Sequence, residues 1–480
     1  MGEGQVLTYE NIRVKDFEFK QIYKIEIRKE VNEHDTLYLY GLLSEEKKDN
    51  YIKSTNEKSE INVIYKHTDN EETLFKGLIS EINLTVAQQC YYLEIKGISC
   101  TSLLDVKRTC RSFQDISMTY EELAKEIIKD YEQADVKYNA DKEELEHLLV
   151  QYGETDWEFL KRAASKINTV LVSNSTHPDE GIRFHFGIEK GSTREIEEFN
   201  YTIRKRIRSF NKMKENYAED ISHRDFEYYD LQSTEIFDVG NKVKFMEQDL
   251  YVQSVYIHME DGILKGEYKL SSINGIFQEK LTNQNLIGLS LAGKVLEVKE
   301  DKVKVHLDID EEQDKSKAVL LPYSTGYTAA NNTGIYIMPE VDDIVYLYFP
   351  DDNEENAFIK CSIRQELKGG DKVSDPDVKY IRTNFGKEIR LSRHDIIISS
   401  LDDEIYIRIN DEDGIEIISS ENVRISAKKN MDINVGANMA INVGANLAIN
   451  AGKDLSIKCR NSNIKMGQDI DLKGKKVNIN

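Results

Sequence analysis

Apolar and polar positions repeat with a period of eight residues through the last part of the chain: Met431–Asn438 reads MDINVGAN, Met439–Asn446 reads MAINVGAN and Leu447–Asp454 reads LAINAGKD. Ile415, Val423, Met431, Met439, Leu447 and Leu455 open six octads, and Ile417, Ile425, Ile433, Ile441, Ile449 and Ile457 hold the third position. Within an octad the alternation has the two-residue period of a half-buried strand, so each octad is predicted to be a short strand followed by a turn. Gly436, Gly444 and Gly452 stand where the turn is needed, because glycine can take positive φ, and Asn438 and Asn446 tolerate it. The spacing drifts to seven and eight residues around Ser462, Ile470 and Val477. Three apolar side chains per strand cannot bury their own face, and eight residues are too few for one turn of a single-chain solenoid of ordinary width. Three chains wound about one axis would place the third-position isoleucines in a shared core and pair the strand edges. Residues 385–480 are therefore expected to form a trimeric needle, an intertwined β-helix or prism. Its flat end, carrying Ile470, Leu472, Val477, Asn478, Ile479 and Asn480, would offer unpaired backbone and apolar side chains to a docking partner.

Upstream, Gly293–Ile309 reads as a hairpin with Val303, Val305, Leu307 and Ile309 on one face and a charged turn at Lys299–Lys302. Further strands are predicted at Gly334–Met338, Asp343–Phe349 and Ala357–Ile363. Short strands at this spacing predict a small antiparallel barrel over residues 284–366. Residues 367–384 are polar and read as a connector.

Residues 1–283 mix strands with two helices, each announced by a capping box. Thr119 with Glu122 opens a helix whose Leu123, Ile127 and Tyr131 share a face, and Thr155 with Glu158 opens another bearing Trp157, Leu160, Ala164 and Ile167. Both are predicted to cover sheet.

Two segments of this region carry a family likeness. Ser112-Phe113-Gln114-Asp115, ahead of the first helix, is similar to the R-x-F-Q-x-x-S segment of VgrG spikes and phage baseplate hubs, and Gln151–Arg162 (QYGETDWEFLKR) resembles their Q-Y-R-E-S-D-x-x-F-L-x-R. Phe113, Gln114, Tyr152, Asp156, Trp157, Phe159 and Leu160 are the positions that match. A further likeness covers Phe237–Tyr256. Met338–Val345 (MPEVDDIV), Phe349 and Ala357–Ile359 resemble the OB-fold segment of the same family, departing at Asp342 and at Cys361-Ser362, where the family commonly has glycine and Gly-Ser.

The resemblance implies a mainly β protein with some α: hub barrels with helices, an OB-fold collar and the trimeric needle. It also implies a structural central spike of a contractile injection system, of the type VI secretion, tailocin or phage kind. The spike would be a homotrimer whose hub, two similar barrel-like domains per protomer, seats a hexameric inner tube and meets baseplate proteins. A PAAR-type tip protein and cargo effectors are further implied partners, and the needle would meet the target cell envelope. Assembly would take place in the bacterial cytoplasm, with later expulsion.

Composition bears on the alternatives. The formal charge of −22 opposes binding to duplex DNA through phosphate neutralisation, and the ten Lys/Arg against six Asp/Glu after Ile415 leave the excess of acid in the rest of the chain. The Arg204–Arg208 run, interleaved with Ile203 and Ile207, reads as a solvated strand face or an inter-subunit contact, not a nucleic-acid site. Five cysteines without C-x-x-C spacing fit reduced thiols. No signal peptide, zincin motif, nucleophile elbow or P-loop is found, and the connector is too short for a lysozyme domain. No catalytic, cofactor or metal site is therefore expected. A spike with envelope-degrading or effector activity and a trimeric receptor-binding fibre are the competing readings. A fibre would not be expected to carry the hub segments.

Overall fold

Alternation in the first hundred residues builds strands with one buried face: in Thr36–Leu43 every second side chain is buried, and Phe19–Glu30 turns Ile25 and Ile27 to the same side. The computed structural model describes residues 7–44, 50–67, 70–196, 200–216, 221–276, 279–329, 333–363, 375–401, 404–453, 456–457, 460 and 475–476. It forms two units, residues 1–366 and 367–480.

In the first unit a single sheet runs through two groups of strands. Its order is Ile12–Lys15, Glu60–His67, Asn70–Ala87, Cys90–Ile98, Thr36–Leu43 and Phe19–Glu30, then Gln248–Glu260, Ile263–Ser271, Glu227–Ser233 and Tyr201–Lys205. Lys242–Phe245 pairs with Gln248–Glu260 on the remaining flank and carries Arg194–Glu195 in turn. The two groups join where Phe19–Glu30 lies antiparallel to Gln248–Glu260, with Ile27 opposite Ile257. Ile25, Ile27, Leu37, Leu39, Phe75, Ile95, Val255 and Leu270 belong to one core beneath this sheet.

Both capped helices form as expected. Tyr120–Ile128 and Asp156–Lys166 start at Thr119 and Thr155, whose hydroxyls accept from the backbone N–H of Glu122 and Glu158. They pack with a three-stranded sheet of Asp135–Tyr138, Leu171–Ser173 and Arg183–Phe186 around Leu123, Ile127, Trp157, Leu160 and Phe184, a second core. A further helix, Ile207–Asn216, takes in Ile207 and Arg208, so the run read as one strand face is strand only as far as Lys205.

A closed barrel is present: Ser290–Lys299, Lys302–Leu307, Leu321–Ser324, Phe358–Ile363 and Ile344–Tyr348 complete the circuit around Val295, Val305, Leu347 and Ile359. It is not antiparallel throughout, because Leu321–Ser324 and Phe358–Ile363 run parallel. The strand expected at Gly334–Met338 is Thr333–Ile335, which pairs with Tyr327–Ala329 outside the barrel.

The second unit departs from expectation in two ways. Its described strands form a five-stranded antiparallel meander of Lys379–Arg382, Glu388–Leu391, Asp395–Leu401, Ile405–Asn410 and Gly414–Ser419. It begins inside the stretch read as connector, and it takes Ile415 and Ile417 into a hairpin with Ile405–Asn410. Among the described octad residues, 421–453 contain no strand. The chain bends at Gly436, Gly444 and Gly452 as the period predicts, yet none of the three has positive φ.

Candidate assembly surfaces and the hub–collar joint

The family-like segments of the first unit converge on one joint. Leu149–Thr155 pairs antiparallel with Arg108–Phe113, and Gly153 takes a φ of 62° close to the bulge between Thr109 and Cys110. This ribbon lies between the helical core and the barrel, so its residues divide by direction. Phe113 stacks on Phe159 with ring centroids 5.4 Å apart, and Trp157 and Leu160 are buried in the same core. The Trp157 indole N–H donates to the Asn32 carbonyl over 3.1 Å, tying the helix to the large sheet. Tyr152 packs against the barrel core, and its carbonyl accepts from the Asn283 side-chain amide at 2.9 Å. Gln114 donates to the carbonyl of Val305 in the barrel at 3.1 Å. Asp156 is buried between the two groups and accepts from Arg111 at 2.6 Å, Gln151 at 2.8 Å and the Tyr131 hydroxyl at 2.7 Å.

The residue that decides the joint is Arg162, the last of the family-like segment, which sequence reasoning did not single out. It is fully buried, donates to both carboxylate oxygens of Glu154 at 2.8 Å, and reaches Glu354 of the collar at 2.6 Å. Lys166 closes on the other Glu354 oxygen at 2.9 Å. Burial alone would raise the Glu354 carboxyl, but Arg162 and Lys166 outweigh it and hold it below the ordinary carboxylate range. A second link runs from Asp310, whose two oxygens accept from the backbone N–H and hydroxyl of Ser112, each at 2.6 Å. Burial raises the Asp310 carboxyl against those hydrogen bonds. The signal for Arg162 lay in its own segment, but its partner stands 192 residues away and no local pattern announces it.

The basic run Arg204–Arg208 begins in an edge strand. Arg204 pairs with Asp230 at 2.7 Å, Lys205 with Glu227 at 2.9 Å, and Arg206 lies over the Tyr228 ring. All three partners lie on the one neighbouring strand, Glu227–Ser233.

The second unit presents the largest apolar surface. Across the meander Ile381, Ile389, Ile398, Ile407 and Ile417 stand opposite one another in one row, and Leu391, Ile396, Ile409 and Ile415 form the next. All nine are exposed. The reverse face is polar and tied by ion pairs such as Arg408 with Asp395 at 2.6 Å and Arg382 with Glu388 at 2.7 Å. Ile425, Ile433, Ile441, Ile449 and Ile457 continue the exposure along the octads, from 59% to 75% of each side chain. Ile470, Leu472, Val477, Asn478, Ile479 and Asn480 lie outside the described residues.

A model of the phage tail baseplate hub (GPD) family matches residues 54–166, which contain both family-like segments of the joint. The Escherichia coli c3393 protein, a type VI secretion component described as structurally similar to the T4 tail proteins gp27 and gp5, superposes over 74% of this chain and 99% of its own. The TM-score is 0.52 at 14% identity. The fold is like that of this type VI secretion component. A Francisella VgrG, solved in complex with PdpA in a half-lidded state, agrees over 85% of this chain and 87% of its own, with TM-score 0.53 and 10% identity. The lidless form of that complex gives a TM-score of 0.50 at 10% identity, over 82% of this chain and 93% of its own. No curated protein sequence matches the chain. In this VgrG-like frame the segments that carry the sequence likeness serve the joint between hub and collar.

Proposed function

We propose that this chain is the trimeric central spike of a contractile injection system, a structural part without catalysis, whose hub adapts to a hexameric inner tube and whose needle leads into the target envelope. The observation that carries this reading is the aliphatic face of the second unit. Nine exposed Ile and Leu side chains on one side of a five-stranded sheet, continued by exposed isoleucines along the octads, have no covering layer among the described residues. An uncovered apolar surface of that extent is unstable in water, and a structure of octads too short to close alone is completed by copies of itself. The hub fold supplies the other half of the reading, since its neighbours are tail-hub and VgrG structures. Baseplate proteins, a PAAR-type tip protein and cargo effectors are the partners this role calls for, with assembly in the bacterial cytoplasm before expulsion.

Light scattering on the purified full-length chain should give three times the 55.4 kDa protomer mass. A monomer with an ordered second unit would refute the reading. In a producing strain, loss of the chain should stop assembly or firing of the contractile particle, and normal particles without it would count equally against the role.

A further inference from the structure

A lysine is seldom enclosed by a hydrophobic core, yet Lys29 stands in one. It shares the buried face of Phe19–Glu30 with Ile25 and Ile27, and its side chain is 2% exposed. Nζ meets both carboxylate oxygens of Asp238, at 3.1 and 3.2 Å. Among the described residues no other ion-paired lysine is covered so completely, the next being Lys76 at 12%. Asp238 lies 209 residues further along the chain, in the segment that leads into Lys242–Phe245, so the pair bridges the two strand groups of the hub sheet. Its carboxyl is held from its own side as well: the Val239 backbone N–H donates to Oδ1 and the Thr176 hydroxyl to Oδ2, each at 2.9 Å. Val31 and Val239, beside the pair in sequence, belong to the large apolar core. A guanidinium would fill such a place with more hydrogen bonds, as Arg162 does at the collar joint; what an amine adds is nucleophilicity.

A second carboxyl stands by the pair. Asp35 is 1% exposed, in the turn between Phe19–Glu30 and Thr36–Leu43. Ser99 fixes its backbone, accepting from the Asp35 N–H at 3.1 Å and donating to its carbonyl at 2.8 Å. Its Oδ2 is buried with no hydrogen-bond partner among the described residues. Burial pushes this carboxyl up to about 7, Lys29 pulls it down and Asp238 pushes it up. Near neutral pH it therefore passes between acid and carboxylate, as a group that carries protons must.

We infer that Lys29 and Asp238 are the reactants of an intramolecular amide bond, formed once after folding, that ties the two strand groups of the hub sheet covalently, with Asp35 as the proton carrier. The Asp35 carboxylate takes a proton from the Lys29 ammonium, and the freed amine forms a bond from Nζ to Cγ of Asp238, whose oxygens the Val239 N–H and the Thr176 hydroxyl polarise. Asp35 then gives its proton to the departing oxygen and carries a second one over in the same way, and the bond from Cγ to that oxygen breaks. Of the three ammonium protons one stays on the amide nitrogen and two leave with one Asp238 oxygen as water. Asp35 ends as it began, and no other reagent enters. Folding supplies the driving contact, because it holds amine and carboxyl together where diffusion would have to bring them. A bond that closes so long a loop restricts the unfolded chain and keeps the two strand groups from parting under load. The inference goes beyond the spike reading and does not depend on it.

The test is the intact mass of the purified, denatured full-length chain. It should read one water below the mass of its sequence, and tryptic digestion should leave Lys29 uncut and release a branched peptide that contains both Lys29 and Asp238. Lys29→Arg, which keeps the ion pair, and Asp238→Ala should each show the full mass and run more slowly on a denaturing gel, as an unlinked chain does. Asp238→Asn keeps the shape of the site and should lose ammonia in place of water, but only while Lys29 is present. Asp35→Ala should slow the linkage by roughly a hundredfold or more. Linkage at the wild-type rate in that variant would remove Asp35 from the chemistry. A wild-type chain of full mass, cut by trypsin at Lys29, overturns the inference and leaves an ordinary buried ion pair, whatever its oligomeric state. Water lost equally from the wild type and from Lys29→Arg would place the dehydration at another site and overturn it too.

Discussion

Two buried groups set the hub's response to substitution and to pH. Arg162 exchanges water for Glu154, Glu354 and the Val150 carbonyl, so each of its three guanidinium nitrogens has a partner. Such a network adds little over an apolar core of the same shape, but removing one member leaves the others buried and unpaired. Arg162→Ala should therefore cost about 3–5 kcal/mol in the unfolding free energy of the first unit. Denaturant titration would show it, and a loss below about 1 kcal/mol would mean the cluster is hydrated in solution. Asp35 behaves differently. Burial pushes its carboxyl up to about 7, Lys29 pulls it down and the neighbouring Asp238 pushes it up again. A carboxyl raised on folding holds a proton that the unfolded chain has lost, so stability falls as pH rises from about 4 towards 7 and levels off above. Asp35→Asn should flatten that slope while leaving stability at pH 4 nearly unchanged. An unaltered slope in thermal melts between these values would remove Asp35 as its source.

At the level of elements, what was legible in the sequence was local. The capping boxes at Thr119 and Thr155 fix helix starts through contacts three residues long, and both form. Thr155→Ala should cost about 1 kcal/mol, read from the same denaturant titration. The collar hairpin was equally visible because its alternation and its charged turn are continuous in sequence. What stayed hidden depends on distance. The meander of the second unit was absorbed into the octads because Ile-rich alternation from Ile389 to Ile417 has the same two-residue period whether its partner strand belongs to the same chain or to another. The octads themselves make an expectation that separates inside from outside. Ile441→Asp puts three carboxylates about one axis and should abolish trimers, whereas Asn442→Asp faces water and should be mild. Equal melting temperatures for the two variants would reverse the assignment of faces.

For the whole molecule the order of assembly follows from the size of the surfaces. A fully buried Ile or Leu is worth roughly 1.5–3 kcal/mol. The second unit brings nine such side chains per chain in the meander and more along the octads. Assembly into a trimer should therefore be driven by the second unit, and a substitution on its exposed face tests this. Ile407→Asp lies on the exposed face of the meander and disturbs no packing of its own chain, so the protomer should fold and light scattering should report a monomer at low concentration. A trimer from Ile407→Asp would place the driving contact elsewhere in the chain and leave the aliphatic face of the second unit in need of another partner.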